Sequence, residues 1–181
     1  MTVTDDKLME QISSGQEAAF RLLVQRWESP LFGFLWRMTG SEDDARDLCQ
    51  DTFVTVYSRS SEYKPEGKFK SWLFRIAGNS ARSFLRRRKI IGWVSFDSTK
   101  HDRSENCELP DAEVSRNQQV KILQAAVDKL PPRQKQALVL KRYQQLSQKE
   151  VAEVMQISES AVESLLVRAL TQLRKQIGRS Q

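Results

Sequence analysis

Apolar residues recur every three or four positions along most of the chain, which is the spacing of amphipathic helices. In the first third this pattern occupies residues 20–38 on both sides of Pro30, where we predict that a helix starts or stops. Gly40 ends the run. Ser41 is followed by three acidic residues, and its hydroxyl can accept a free backbone N–H at a helix start. The pattern therefore predicts a helix from residue 42 to about residue 58.

The predicted helix over residues 42–58 has one apolar side, which we expect to face the core. Its members are Ala45, Leu48, Cys49, Thr52, Phe53 and Val56. The residues left on other faces are Asp47, Gln50, Asp51 and Val54. After a turn around residues 63–67, residues 69–89 form another predicted helix, in which basic residues cover the surface that the apolar stripe leaves free.

The most specific local pattern lies in the last third and predicts a helix, a turn and a second helix. Ser147 and Glu150 form a capping box at the start of the first helix, and Ser158 caps the second. Ala152 is small at the point where the two helices of such a motif cross closely. These features predict a DNA-binding helix-turn-helix whose second helix runs from residue 159 to about residue 177.

In such a unit the second helix enters the major groove with its N-terminal residues against base edges, while basic residues hold the phosphates. The candidate contacts to duplex DNA are Ser158, Ser160, Ala161, Glu163, Ser164, Val167, Arg168, Arg174 and Lys175. Two features weaken this interpretation. Gln156 stands at the turn position where glycine is usual, and a phosphate backbone repels the carboxylate of Glu163. A helical hairpin with merely solvated basic residues is the alternative.

The composition favours an all-α fold, because the 181 residues include only 7 Gly and 5 Pro. The formal charge of +6 favours a polyanionic partner. This charge is unevenly placed: residues 67–93 hold 8 basic residues and no acidic one, whereas residues 97–113 hold 6 acidic and 2 basic residues. We therefore predict two small helical domains, over residues 1–93 and 116–181, joined by a flexible acidic linker over residues 94–115.

Basic and aromatic residues alternate through the predicted helix of the first domain. Unpaired bases stack on aromatic faces while cations follow the backbone, so this mixture suits single-stranded or opened DNA. The carboxamide of Asn79 offers donors and an acceptor to a base edge, although an Asn can also cap or bend a helix. Trp72, Phe74 and Phe84 are alternatively core residues. The candidate contacts to melted DNA are Lys68, Lys70, Trp72, Arg75, Asn79, Arg82, Arg86, Arg87 and Arg88.

Several function classes are disfavoured. No apolar run approaches the roughly 20 residues needed to span a bilayer, and Asp5, Asp6 and Glu10 replace a signal peptide, so we expect a cytoplasmic protein without membrane insertion. Cys107 and the sole histidine, His101, do not complete the four ligands of zinc, so neither a metal nor a cofactor is expected. A nuclease would need clustered carboxylates or an activated nucleophile, whereas the acidic runs here fit a helix start and a linker.

Three stretches resemble, in their order along the chain, conserved regions two and four of the extracytoplasmic-function sigma factors of bacterial RNA polymerase. They are the sequence from Asp43 to Phe53, the sequence from Phe69 to Asn79, and Leu130-Pro131-Pro132-Arg133 leading into the helices of residues 147–173. Together they cover nearly the whole chain. Three ordered motifs with an acidic connector between them are far more specific than any one of them.

The resemblance implies that the helix of residues 47–57 docks on the clamp coiled coil of the largest subunit of core RNA polymerase. The residues at the docking positions are Asp47, Leu48, Gln50, Asp51, Phe53, Val54 and Tyr57. It also implies that Asn79 receives a base flipped from the non-template strand at the −10 promoter element, and that the second domain reads the −35 element. The acidic linker then threads toward the RNA exit channel, and an anti-sigma factor is an expected partner.

The chain departs from the family pattern at one docking position, and one other function remains as an alternative. Arg46 stands where the docking motif commonly has an acidic residue, so the clamp contacts are expected to differ in detail. The rival is a two-domain helix-turn-helix regulator that binds duplex DNA without core polymerase, which leaves the docking motif unexplained. Under either interpretation the chain makes and breaks no bond and is not an enzyme.

Overall fold

The computed structural model describes residues 3–94 and 123–178, which fold into helices joined by short turns. The helices are α1 (Asp5–Ser13), α2 (Glu17–Thr39), α3 (Glu42–Ser58), α4 (Phe69–Val94), α5 (residues 123–128), α6 (Pro132–Arg142), α7 (Gln148–Met155) and α8 (Glu159–Ile177), with one turn of 3-10 helix at Ser60–Glu62. The described ranges contain no strand, so the all-α prediction is confirmed. Apart from residue 94, the predicted acidic linker lies outside the described residues, as do His101 and Cys107.

Three helix starts lie where the sequence predicts them, at Ser41, Ser147 and Ser158. The hydroxyl of Ser41 accepts a backbone N–H in the first turn of α3, and that of Ser158 does the same for α8 at 3.2 Å. Ser147 and Glu150 form the predicted capping box, in which each side chain accepts the other residue's backbone N–H, at 3.2 and 2.7 Å. These hydrogen bonds lower the pKa of the Glu150 carboxyl.

Helix α3 has the predicted bounds and buries the predicted side. The residues of α3 that are buried are Ala45, Leu48, Cys49, Thr52, Phe53 and Val56. Burial raises the pKa of the Cys49 thiol to about 11, so this cysteine is protonated at neutral pH.

The prediction that Pro30 marks a helix end is wrong, because α2 continues through it. A proline inside a helix costs about 3 kcal/mol, since it lacks an N–H and its ring crowds the preceding turn. The residues that follow, Leu31, Phe34 and Leu35, are fully buried. Each contributes roughly 1.5–3 kcal/mol by leaving water, which outweighs the local penalty.

Helices α1–α4, here called the N-terminal unit, pack around an aromatic centre. The ring centroids of Phe34 and Phe74 lie 5.2 Å apart, and those of Trp27 and Phe69 lie 5.8 Å apart. These contacts place the first half of α4 against α2. The apolar side of α4 is therefore buried, and its polar and basic side is left at the surface.

The turn that precedes α4 is held by Asp6 of α1. Its carboxylate accepts hydrogen bonds from the Tyr63 hydroxyl and, at 2.7 Å, from the backbone N–H of Gly67. Burial and this acceptor raise the pKa of Tyr63, so the phenol stays protonated and remains a donor. The start of α4 is thereby fixed relative to α1.

Helices α5–α8, here called the C-terminal unit, contain the helix-turn-helix. The buried ammonium of Lys135 pairs at 2.8 Å with the half-buried carboxylate of Asp128 and ties α6 to α5. A small cluster of five buried residues packs α8 against this pair of helices, namely Ala126, Val127, Leu130, Ala169 and Leu173.

The two units also pack on each other, so that one apolar core runs from α1 through the start of α8. Helix α4 lies against α6 and α7, and α2 lies against α6. At the edge of this contact the guanidinium of Arg37 stacks over the ring of Tyr143, 4.2 Å from its centroid. Within the described ranges, every helix is too short or too polar to cross a membrane.

Candidate nucleic-acid interface

Helix α4 buries its apolar side and leaves the predicted DNA-binding side chains at the surface. Phe69, Leu73 and Phe74 belong to the core, which confirms the core alternative for Phe74. Trp72 is half-buried and stacks edge-on against Tyr63, with centroids 5.2 Å apart. The candidates that are exposed are Lys68, Asn79, Arg86, Arg87 and Arg88, and those that are half-buried are Lys70, Trp72, Arg75 and Arg82.

Asn79 lies in a groove between α4 and the start of α6. The α4 wall consists of Asn79, Arg82, Ser83 and Arg86, and the opposite wall consists of Pro131, Pro132, Arg133, Gln134 and Leu165. The guanidinium of Arg82 donates to the carboxamide oxygen of Asn79 and so orients it. Burial, and secondarily the neighbouring charge of Arg133, lowers the pKa of Arg82.

A second groove lies nearer the start of α4. One wall contains Ser71, Trp72 and Arg75 of α4 together with Lys68, which directly precedes the helix, and the other wall contains Glu153 and Gln156 of the helix-turn-helix. The ammonium of Lys68 and the carboxylate of Glu153 are 3.6 Å apart across it. Arg88 points elsewhere, because its guanidinium pairs at 3.1 Å with Asp44 of α3.

Helix α8 presents its N-terminal half to solvent, as a recognition helix does. The exposed residues of this face are Ser160, Glu163, Ser164, Val167 and Arg168, whereas Ala161 is half-buried. The hydroxyl of Ser158 is engaged in capping the helix and in a 3.0 Å hydrogen bond with that of Ser160. Arg174 and Lys175 are exposed near the other end, about 20 Å from Ser160 along the helix, so they face a different part of any duplex.

The turn of the helix-turn-helix forces Gln156 into the left-handed region, with φ of 54° and ψ of 50°. A side chain with a Cβ costs about 1–2 kcal/mol in this conformation, and glycine avoids that cost but is more flexible when unfolded. We expect Gln156→Gly to raise the free energy of unfolding by roughly 0.5–1 kcal/mol, measured by urea denaturation. Gln156→Ala keeps the Cβ and should give no gain; equal stabilisation by both would contradict the strain argument.

An acidic and apolar surface lies on α3, on the side opposite its buried stripe. The predicted docking residues that are exposed are Asp47, Gln50, Asp51, Val54 and Tyr57, whereas Leu48 and Phe53 are only 6% and 7% exposed. Leu48 and Phe53 therefore hold α3 in the core rather than present a contact surface. Val54 is 67% exposed and Tyr57 is 44% exposed, so both present apolar surface to solvent.

Sequence reasoning missed the α2 side of this surface. Phe20 stacks edge-on against Tyr57, with centroids 5.1 Å apart, and together with Glu17 and Arg21 it forms a groove of about 590 Å³ with Val54. Phe20 fits the apolar stripe of its own helix, so the local sequence does not indicate that it lines this groove. The packing of α2 on α3 places Phe20 beside Tyr57.

Comparison with known proteins points to one family over both units. The family description "Sigma-70 region 2" matches residues 23–90, and "Sigma-70, region 4" matches residues 121–173. The chain is 29% identical to the ECF RNA polymerase sigma-E factor of Haemophilus influenzae, over 97% of this chain and 96% of that protein. It is 31% identical to the RNA polymerase sigma factor CarQ of Myxococcus xanthus, over 94% and 95% of the two chains.

Solved structures agree over nearly the whole chain. CnrH, determined in complex with the cytosolic domain of CnrY, superposes with a TM-score of 0.72 at 26% identity, over 98% of this chain and 99% of that one. The sigma factor RpoE of Bartonella quintana, determined in complex with the anti-sigma factor NepR, has a TM-score of 0.67 at 20% identity, over 90% and 98% of the two chains. The second likeness shows the fold alone.

Proposed function

Because this chain belongs to the extracytoplasmic-function sigma factors, which bind core RNA polymerase and direct promoter-specific transcription initiation, we propose that α8 and α4 divide promoter recognition between them. The helix-turn-helix anchors duplex DNA at the −35 element, and α4 holds the melted strand of the −10 element. The observation that carries this proposal is that Asn79 and several cations of α4, and the N-terminal half of α8, are exposed on separate helices.

The −35 element is read by the exposed half of α8. Ser160, Glu163, Ser164 and Val167 occupy the turns of the helix that meet base edges when a recognition helix enters the major groove. Arg168 lies beside them and holds a phosphate. Because phosphate contacts release counterions, affinity for duplex DNA should fall steeply as salt increases.

Glu163 is expected to select a cytosine. An exposed carboxylate in the major groove can only accept hydrogen bonds, and the base donors there are the amino groups of cytosine and adenine, of which glutamate prefers cytosine. We expect Glu163→Ala to relax the base preference at one position, with a loss of about 1–3 kcal/mol in discrimination, and Glu163→Gln to shift it toward adenine. Transcription from a randomised −35 library by reconstituted holoenzyme measures both.

Arg168→Ala provides the matched comparison for Glu163, since the loss of a phosphate contact should weaken all −35 sequences alike. If the two Glu163 variants retain the base preference of the wild-type chain, Glu163 does not read a base.

The −10 element is held by α4. Asn79 accepts the edge of a flipped base, Trp72 offers a partly exposed ring for stacking, and the cations of α4 follow the strand backbone. Flipping a base costs a few kcal/mol, which these contacts offset. The chain performs no bond chemistry in this scheme and is not an enzyme; binding energy drives melting.

Core polymerase docks on the exposed α3 surface. Asp47, Gln50 and Asp51 supply polar contacts, and Val54 and Tyr57 supply apolar contact area that the groove against Phe20 extends. This division matches a protein interface with an apolar centre and a polar rim. An anti-sigma factor that covers the same surfaces would hold the protein inactive in the cytoplasm.

The faces of α4 and α8 can reach separate promoter elements only if they belong to two domains. These domains comprise residues 1–93 and 116–181, and residues 94–115 form the linker between them. Transcription with purified core polymerase tests the scheme. We expect specific initiation from a subset of a promoter library, and co-purification of the chain with core. Failure of both would contradict it, whereas a regulator that acts without polymerase would bind DNA but give neither result.

A further inference from the structure

The turn that leads into α4, residues 63–67, lies along the same groove as two of the proposed −10 contacts. Three residues of the turn line this groove together with Lys68 and Trp72. A helix is held by its own backbone hydrogen bonds, whereas a turn depends largely on contacts with other segments. The contacts that hold residues 63–67 therefore also determine the shape of the groove at the start of α4.

Asp6 of α1 holds this turn with both oxygens of its carboxylate. One oxygen accepts the hydroxyl of Tyr63, and the other accepts the backbone N–H of Gly67 at 2.7 Å. These donors are the first and last residues of the turn, so a single side chain spans it. Hydrogen bonds to a carboxylate are roughly twice as strong as those between neutral groups. Asp6 is also half-buried, which strengthens both bonds.

The far end of the turn needs such a contact because of its backbone conformation. Gly67 has φ of 71°, in the left-handed region. A Cβ at this position would meet no atom within 4 Å, so the glycine is favoured by the backbone conformation and not by lack of space. Glycine adopts this conformation readily, but it is also the most flexible residue. The bond from its N–H to Asp6 limits that flexibility.

Tyr63 connects Asp6 to the ring that is proposed to stack on bases. Its own ring packs edge-on against Trp72, with centroids 5.2 Å apart, and against Phe69, with centroids 5.8 Å apart. Phe69 is buried, whereas Trp72 is half-buried and lines the groove. Edge-on aromatic pairs prefer a defined geometry, so a Tyr63 ring that lost its bond to Asp6 would hold Trp72 less firmly.

We propose that Asp6 is a positioning residue for the capture of single-stranded −10 DNA, because it fixes the turn and, through Tyr63, the ring of Trp72. This inference rests on the proposed role of α4 in holding melted DNA. Asp6 makes no contact with DNA in this scheme, and its negative charge repels a phosphate backbone. Its effect on strand capture is therefore opposite to the effect expected from its charge alone.

Asp6→Ala tests this role in the full chain assembled with core polymerase. Permanganate reactivity of the −10 element measures promoter opening, and transcription from a library with a randomised −10 element and a constant −35 element measures base preference. We expect opening to fall about tenfold and the −10 base preference to weaken, because the turn and the ring are no longer held in place. Removal of a negative charge would by itself strengthen DNA binding.

Asp5→Ala is the matched control. Asp5 has the same charge in the same turn of α1, but it pairs with Arg26 of α2. The control therefore removes an equal charge and loosens α1 without removing a contact to residues 63–67. Its opening and −10 preference should stay within about twofold of the wild-type values. Equal losses in Asp5→Ala and Asp6→Ala would overturn the proposal, because general loosening of α1 would then explain both.

Tyr63→Phe separates the hydrogen bond from the ring. This variant keeps the aromatic contact with Trp72 and loses the hydroxyl that Asp6 accepts. Because Gly67 is still held, it should show part of the effect of Asp6→Ala, and the double variant should lose less than the two separate losses combined. Full additivity would overturn the connection through Tyr63. Tyr63→Phe also serves as the test variant if Asp6→Ala does not fold.

The −10 base preference distinguishes positioning from a mere loss of folded protein. A smaller folded fraction reduces initiation from all promoters alike, whereas a displaced turn changes the ratios between them. Unchanged −10 preference in the variants, with or without lower activity, would overturn the inference and leave the sigma-factor mechanism intact. A wild-type chain that opens no promoter would contradict the proposed function itself, and this inference with it.

Discussion

Val54→Glu is expected to remove most of the affinity of this protein for core RNA polymerase. Val54 is 67% exposed on α3 and borders the apolar groove that Phe20 and Tyr57 form. A carboxylate forced into the centre of an apolar contact loses its hydration without a partner. We expect a loss of roughly 2–3 kcal/mol, or about 30- to 150-fold in the dissociation constant, measured by fluorescence titration with purified core.

Leu22→Glu is the matched control for Val54→Glu. Leu22 is 51% exposed on a different face of α2, so the same increase in charge occurs there outside the proposed docking surface. Its affinity for core should remain within about twofold of the wild-type value, since exposed substitutions usually cost little. If both variants lose affinity equally, α3 is not the docking surface, and the loss reflects charge or folding.

Asn79→Ala should impair promoter opening and leave duplex anchoring intact. The carboxamide is exposed, and Arg82 orients it in the groove beside α4. Removing the group that accepts a flipped base should cost about 1–3 kcal/mol, so open complexes should form roughly 5- to 150-fold less readily. Permanganate reactivity of unpaired thymines in the −10 element measures opening, and protection of the −35 element measures anchoring.

Ser80→Ala is the control for Asn79→Ala, because this half-buried neighbour lies on α4 outside the groove that contains Asn79. It should open promoters like the wild-type chain. Equal loss of opening and of −35 protection in Asn79→Ala would contradict a role in strand capture.

Local chemistry made α3 and the helix-turn-helix predictable. A serine that caps a helix, a carboxylate three residues later and an apolar repeat all act within one or two turns, so Ser41, Ser147 and Ser158 locate helix starts without reference to the rest of the chain. The same periodicity correctly separated the buried stripe of α3 from its exposed acidic side. At Pro30 the local rule failed, because the burial of the following apolar residues outweighed it.

The sequence predicted which residues of the candidate surfaces are exposed, but it did not predict which residues lie opposite them. Periodicity identified Lys68 and Asn79 on an exposed face of α4 but could not show that Glu153 and Gln136 lie against that helix. The partnership of Phe20 with Tyr57 was likewise invisible. These pairs are 37 or more residues apart in sequence, and no local pattern carries their distance.

By itself, the sequence determined the all-α class, the caps of three helices, the uneven charge and the exposed face of α3, because each depends on neighbours within a few residues. Only the tertiary structure decided that α2 runs unbroken, that Phe20 completes the α3 surface, and that α4 packs against α6 and α7. Those outcomes follow from the apolar area that distant segments bury together and from the groups left facing each other across the contact, which depend on how the whole chain packs.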